Sequence, residues 1–245
     1  MKISIVTTVK NDRPGFNETL LSVKSQSFED IEYIVVDASD DGKNAKKLEN
    51  VIYHSQIDSS PYEGMNTGIE KATGDVVALL HAGDVFISKD TVAQIMQIFE
   101  GKKVDAVYGD IVYHSKTDSE KVVRKWKSGK LNVEDLENGV FPPHTALFVK
   151  REVYEKIGLF DTRFKIAADA DMMIRMFRVE GFKADYFNGT ILSMRIGGRS
   201  NRNLFSVIKS NLEFLKILKK QKVKDPHIKM IKKVLSKVGQ YFLIP

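Results

Sequence analysis

The residues best suited to chemistry in this 245-residue chain are carboxylates that follow apolar runs. Asp37 ends the run Ile31-Glu32-Tyr33-Ile34-Val35-Val36, and Asp84 ends the turn His81-Ala82-Gly83-Asp84 after Val76–Leu80. Asp58 precedes Pro61, and Asp169 and Asp171 precede the apolar set Met172, Met173, Met176 and Phe177. Other devices are missing from the sequence: G-x-G-x-x-G after the first strand, a Walker A loop, a G-x-S-x-G elbow. His54, His81, His114, His144 and His227 share no metal-ligand spacing, and without cysteine there is neither a disulfide nor a thiolate site. A carboxylate does not bind a diphosphate directly, but it holds the Mg²⁺ or Mn²⁺ that does.

Each of these residues also has a plainer reading. Asp37 can close an Asx-turn at a strand end, Asp58 can cap the helix opening at Pro61, and Asp84 can complete a Gly-Asp turn. Asp169 or Asp171 can cap the helix that follows, with Asp171 the better suited to a structural role. His144, after Pro142-Pro143, can be a structural histidine. Arg195, Arg199 and Arg202 border Gly197-Gly198, where they can clamp a diphosphate or form an exposed basic linker. Trp126, Tyr108 and Tyr113 can stack on a sugar ring or fill a core, and Gly109-Asp110 interrupts a β-rich run where donor or acceptor could meet it.

The elements that must position these residues alternate. Lys2–Val9 reads as a buried strand, bounded by Asn11-Asp12-Arg13-Pro14, and Phe16, Leu20 and Val23 then recur at helical spacing. Strands over 31–37, 51–53 and 76–80 alternate with helices whose inward faces carry Met65, Ile69 and Ala72, then Val92, Ile95, Met96 and Phe99. This is a doubly wound parallel sheet through about residue 100, and such sheets bind ligands beyond the carboxyl ends of their strands. Asp37 and the 81–84 turn both lie there. The second half predicts an antiparallel pair over 105–114 and 121–126, a strand over 145–149, and helices over 151–157 and 171–180. Short strands over 183–187 and 191–195 follow, completing one mixed sheet.

Six segments in order resemble motifs of family 2 glycosyltransferases: Ser4–Asn11, the strand ending at Asp37, Asp58–Gly68, Leu79–Asp84, Asp161–Arg175 and Gly197–Ser200. The resemblance covers residues 3 to about 201. It implies a GT-A fold, a nucleotide-sugar donor, a divalent metal and inversion at the anomeric carbon. It places Asp37 on the nucleotide base, commonly uracil, beside the backbone of Thr7 and Val9, with Asp58 near the base and ribose. By the same resemblance Asp84 is the metal ligand, Asp169 the catalytic base, and His144 lies near the diphosphate or acceptor, while Arg199 stands in the loop that can clamp the diphosphate. The chain departs from the family's usual acidic triplet, since His81-Ala82-Gly83-Asp84 contains a single acid. Two rival functions are a non-catalytic binding or scaffold protein and a sugar nucleotidyltransferase. The latter needs a glycine-rich basic loop that Thr7–Pro14 does not supply.

Charge divides the chain into residues 1–203, the expected catalytic domain, and 204–245, a basic amphipathic helical tail. From residue 202 onward there are eleven Lys+Arg against two Asp+Glu, while the overall net charge is only +6. The mildly acidic body argues against a nucleic-acid partner. In the tail Ile228, Ile231, Val234, Leu235, Val238 and Phe242 form an apolar stripe bordered by Lys229, Lys232, Lys233 and Lys237. Such a stripe predicts contact with an anionic membrane surface, or packing on the body or on a second subunit of a homodimer. The chain opens on a strand without a secretory h-region. The expected setting is cytoplasmic, peripheral on the inner membrane face, with a glycan or lipid-linked acceptor.

Overall fold

The computed structural model describes residues 1–40, 50–58, 60–115, 121–195 and 204–242. The first half is laid down as the alternation requires: β1 (Ile3–Val9), α1 (Arg13–Lys24), β2 (Ile31–Asp37), β3 (Ile52–Ser55), α2 (Pro61–Lys71), β4 (Val76–His81), β5 (Val85–Phe86) and α3 (Thr91–Gly101). Strands β1, β2, β3 and β4 are mutually parallel, in the order β3-β2-β1-β4. β1 is buried along its whole length because helices cover both faces of the sheet, so apolar residues are needed at every position. α2 starts on Pro61, whose missing N–H costs nothing at a helix start, and lies so close to β1 that a Cβ at Gly68 would stand 2.1 Å from a Val6 methyl.

The second half adds β6 (Ala106–His114), β7 (Val122–Trp126), α4 (Val133–Glu137), a 3₁₀ turn (His144–Ala146), β8 (Leu147–Lys150), α5 (Arg151–Ile157), α6 (Ala168–Phe177) and β9 (Ala184–Arg195). The sheet continues β4-β8-β6-β9-β5, with β8 antiparallel to both β4 and β6, and β7 antiparallel to β6. The result is the expected mixed sheet of a GT-A α/β fold. Besides the short β5 and a 3₁₀ turn where the expected strand over 145–149 begins, three details differ from the expectation. Residues 184–195 form one strand, not two, whose register against β6 shifts near Asp110. Helix α6 begins at Ala168 with Ala167 as its N-cap, so Asp169 and Asp171 sit inside its first turn. The short α4, unanticipated, starts on a capping box in which Asn132 and Asp135 satisfy each other's backbone N–H groups.

Two apolar layers flank the sheet. One holds α1 and α3 against Ile5, Val35 and Leu80. The other holds α2, α5 and α6 against Val6, Ile34 and Leu79. Helix α7 (Leu204–Lys220) belongs to the second layer, because Phe214, Ile217 and Leu218 are fully buried in it. The expected boundary at residue 203 therefore does not separate two cores. α8 (Pro226–Phe242) folds back beside α7.

Candidate active site

Strand direction decides what meets at the site. The carboxyl ends of β1, β2 and β4 share one edge, which collects Thr8, Asp37 and the 81–84 turn. β8 runs antiparallel to β4 with Phe148 opposite Ala78, so counting back from Phe148 sets His144 level with the turn beyond His81. The two imidazoles meet edge to face, with their Nε2 atoms 3.0 Å apart. One ring must donate and the other accept in that bond. On its other side the His81 ring bonds through Nδ1 to Thr8 Oγ1 at 2.7 Å. His144 Nδ1 in turn stands 3.6 Å from Asp169 Oδ2 at the start of α6. A line of polar side chains thus crosses the cleft from β1 to α6.

Asp169 and its neighbour Asp171 lie two residues apart in very different surroundings. Asp171 is fully buried and saturated with donors: Arg175 Nε at 2.9 Å, Lys220 Nζ at 3.0 Å and Gln221 Nε2 at 2.8 Å. The Asp169 side chain keeps 27% of its surface open to the cleft. Its Oδ1 accepts the Tyr62 hydroxyl at 3.2 Å, and that hydroxyl is anchored on the Ile166 carbonyl at 2.6 Å. Enclosure raises the Asp169 pKa, outweighing the Ala170 N–H, the Tyr62 hydroxyl and the Lys233 charge, which favour the charged form. Burial also pushes His144 down to about 4, so its ring is neutral near neutral pH. Leu79, Leu147, Phe160 and Met173 line the small apolar cavity next to the pair. The N-terminus of α6 is held from behind by Glu213 of α7, whose carboxylate accepts the N–H groups of Lys165, Ile166 and Ala167 at 3.1, 2.8 and 3.0 Å.

On the opposite flank Asp37 is buried and tied. Its Oδ1 accepts Ser39 N at 2.9 Å, the Asx-turn allowed by the sequence, and its Oδ2 accepts the Tyr53 hydroxyl and faces Arg13 at 3.6 Å. Burial alone would raise its pKa, but these donors and the guanidinium overcome it and hold the carboxyl charged. Asp58 is also buried, and here burial wins and raises the pKa. It does not cap α2, which takes Ser60 as N-cap; it accepts instead from Gln56, while its carbonyl accepts Lys10 Nζ at 3.1 Å. Asp58 and Thr8 flank Gly64, where an added Cβ would fall 2.8 Å from Asp58 Oδ2 and 3.2 Å from the Thr8 methyl.

The backbones of Thr7 and Val9 belong to β1, where both pair with β2 and Thr7 also pairs with β4. Thr7 is fully buried on the α1–α3 side of the sheet, its hydroxyl bonded to Tyr33 at 3.0 Å, and the Val9 carbonyl is occupied by Ala38 N at 2.8 Å. Side chains alternate along β1, so Thr8, not Thr7, faces the cleft. Arg199 and Arg202 lie outside the described residues, and Arg195 pairs with Glu18 on α1. Tyr113 and Trp126 both face the Arg124 guanidinium, at 5.5 and 5.7 Å, while Tyr108 is core and donates nothing to the cleft. Asp110 accepts Ser128 N and the Tyr186 hydroxyl at 2.8 and 2.9 Å. Sequence reasoning missed Thr8, His81 and Tyr62. The period-two pattern of β1 could have singled out Thr8.

A divalent ion is implied by the resemblance, and the turn at 81–84 decides whether it fits. Among the described residues no three His, Cys, Asp or Glu side chains converge as a cage. Asp84 is 2% exposed, and its Oδ2 accepts His81 N at 2.8 Å. Burial, against that single bond, lifts its pKa to about 7. Among the described residues no cation neutralises Asp84, and a buried carboxyl at the carboxyl end of a central strand suits one Mg²⁺-type ion completed by phosphate oxygens and waters. The donor set fits a site of that kind.

A mixed sheet in this order, with acids on the carboxyl ends of its parallel strands and another acid facing them from a later helix, is the GT-A arrangement. The chain superposes on residues 1–349 of S. aureus TarS with a TM-score of 0.71 at 14% identity, covering 96% of this chain and 71% of that one. The mannosyltransferase PcManGT from Pyrobaculum calidifontis, in complex with GDP-Man and Mn²⁺, gives 0.65 at 15% identity over 100% of this chain and 76% of that one. Against a longer TarS chain the match spans 43% of that protein's length. In sequence, the glycosyl transferase family 2 model matches residues 4–158. An uncharacterized glycosyltransferase of Mycobacterium tuberculosis is 30% identical over 71% of this chain and 68% of its own length. A PGL/p-HBAD biosynthesis glycosyltransferase of Mycobacterium bovis is 28% identical over 81% of this chain and 78% of its own. The chain belongs to glycosyl transferase family 2.

Proposed function

We propose that this chain is an inverting transferase that moves one sugar from a nucleoside diphosphate donor, a UDP-sugar, to a hydroxyl of a glycan or lipid-linked acceptor. The observation that carries the reading is Asp169: a cleft-facing carboxylate whose pKa is raised by enclosure, across the site from the tied carboxylate Asp37. A raised pKa makes a carboxylate a stronger base in its ionised form. In the reaction Asp169 takes the acceptor hydroxyl's proton as the acceptor oxygen attacks the anomeric carbon, and the bond from that carbon to the diphosphate breaks with both electrons leaving on the diphosphate. One base on the face opposite the leaving group inverts the configuration.

The other residues bind and orient. Asp37, held ionised, is an acceptor for an imide N–H, the chemistry that favours uracil over a base without one. Tyr62 fixes the rotamer of Asp169, and neutral His144 lines the space between base and donor. Asp84 would hold Mg²⁺ or Mn²⁺, which when bound neutralises charge on the diphosphate. The donor reading draws support from TarS, solved in complex with UDP-GlcNAc, and the assembly role from the relative in PGL/p-HBAD biosynthesis.

A donor panel tests this reading. UDP- and GDP-sugars are incubated with the protein in Mn²⁺ or in EDTA, and nucleoside diphosphate release is followed beside thermal stability. Release from a UDP-sugar in Mn²⁺ is expected, and that donor at about 100 times its Kd should add about 2.7 kcal/mol of stability. Donor binding without release, for every donor and with acceptor mixtures present, would favour the non-catalytic reading. Equal rates in EDTA would remove the metal from the account.

A further inference from the structure

Helix α8 is docked with two of its lysines, Lys229 and Lys233, inward. Lys229 keeps 14% of its side chain exposed and lies 3.7 Å from Glu134 and 3.5 Å from Glu137 of α4. Lys233 is buried, its ammonium 4.0 Å from the Phe214 ring centroid and its stem filling the space where a Cβ at Gly139 would go. At 100° per residue, the line Ile228, Ile231, Val234 lies opposite that lysine line, and these residues are 55%, 58% and 41% exposed. This reverses the packing expected of an amphipathic helix on a protein body, where the apolar stripe goes in and the lysines go out.

Helix α7 repeats the feature on its outer side. Its inner line, Phe214, Ile217 and Leu218, is core, and the opposite line, Phe205, Ile208 and Leu212, is 79%, 50% and 56% exposed. Six large apolar side chains thus stand on the outward faces of one helical hairpin, which is more than scattered surface residues account for. In the sequence Leu235, Val238 and Phe242 continue the α8 line at the same spacing.

Charge selects the occupant. Lys209, Lys216, Lys219, Lys224 and Lys232 are exposed on the same two helices and their connection. Of the two acids in this region Glu213 is buried against α6, leaving Asp225 at the turn. A second copy using the same face would set these lysines against their own images. An anionic lipid surface instead accepts both the apolar line and the flanking charge. Among the described residues no helix is long and apolar enough to cross a bilayer, so the hairpin would lie in the interface. We infer that the outward face of α7–α8 is a docking surface for anionic lipid, engaged by Phe205, Ile208, Leu212, Ile228, Ile231 and Val234.

The test uses the full chain, because truncation at residue 203 would strip Phe214, Ile217 and Leu218 from the core. Co-sedimentation is measured with vesicles of phosphatidylcholine alone and with added phosphatidylglycerol, in low and high salt. Two variants accompany the native chain: Ile228→Ser/Ile231→Ser, and Lys216→Gln/Lys219→Gln. All four positions are exposed, so thermal melting should stay native. Pelleting with the anionic vesicles in low salt is expected, falling about tenfold without phosphatidylglycerol, in high salt, or in either variant. No pelleting, or pelleting that the Ile228→Ser/Ile231→Ser variant leaves unchanged, would overturn the inference. So would a dimer of the native chain in solution that the same variant dissociates, since the face would then belong to a second copy.

Discussion

Asp37 at the sheet edge and Asp169 on the helix facing it are both enclosed carboxylates, and their surroundings shift their pKa values in opposite directions. Around Asp37 the end of β2 has gathered every available donor: the Ser39 amide, the Tyr53 hydroxyl and the Arg13 guanidinium. Around Asp169 there are the Tyr62 hydroxyl of α2, the Ala170 N–H, the charge of Lys233 and an apolar wall, and enclosure prevails over the first three. Asp171, two residues further on, shows that the same helix can neutralise a buried acid when structure requires it. A group that must accept a hydrogen bond from a ligand is fixed in its charged form. A group that must accept a proton is placed where enclosure outweighs its donors and the Lys233 charge, so its pKa rises and it is the stronger base.

The substitutions that probe this contrast differ in size. Asp169→Asn keeps the volume and the bond from Tyr62 but removes the basic oxygen. Turnover should fall by about 10² to 10⁴ with donor affinity unchanged in a direct binding measurement. Asp171→Ala should do the reverse. It takes the buried acceptor from Arg175 Nε and Gln221, while Lys220 keeps Asp161, costing about 2 kcal/mol of stability by chemical denaturation with turnover per folded molecule near native. Asp37→Asn should weaken nucleotide binding and lower stability by about 1–2 kcal/mol, because the Arg13 and Tyr53 contacts lose their charged partner. The smallest effect is in pH. Asp169 is active when deprotonated and its pKa is raised, so turnover should drop, as pH falls, above the ordinary carboxylate range. Asp37 has a depressed pKa, so its contribution to binding and stability is present above its unfolded value and is lost only at lower pH. Parallel pH profiles of turnover and of donor binding should therefore separate, with turnover failing first.

The sequence exposed one side of this contrast more clearly than the other. β1, β2 and β4 are apolar runs ended by breakers, so the sheet edge and Asp37 at it could be read directly. Thr7 and Thr8 are adjacent and alike, and only the alternation of β1 together with the face taken by α2 distinguishes them. The Thr8–His81–His144 line depends on β8 running antiparallel to β4, a register that no local pattern records. The start of α6 moved upstream because Ala168 and Ala170 are strong helix formers and Glu213, 46 residues away from Ala167, satisfies the exposed amides there. The orientation of α8 was hidden for the same reason. Its pattern shows two faces, but which face goes inward is set by Glu134, Glu137 and the Phe214 ring on other elements.

Stereochemistry tests the central claim, a single base acting opposite the leaving diphosphate. Slow hydrolysis of an α-linked UDP-sugar, followed by NMR from the first turnovers, reports the anomer formed before mutarotation. The account requires the β anomer to appear first, at a rate that Asp169→Asn lowers by about 10² or more. Initial formation of the α anomer, or β formation at an undiminished rate in Asp169→Asn, would contradict it.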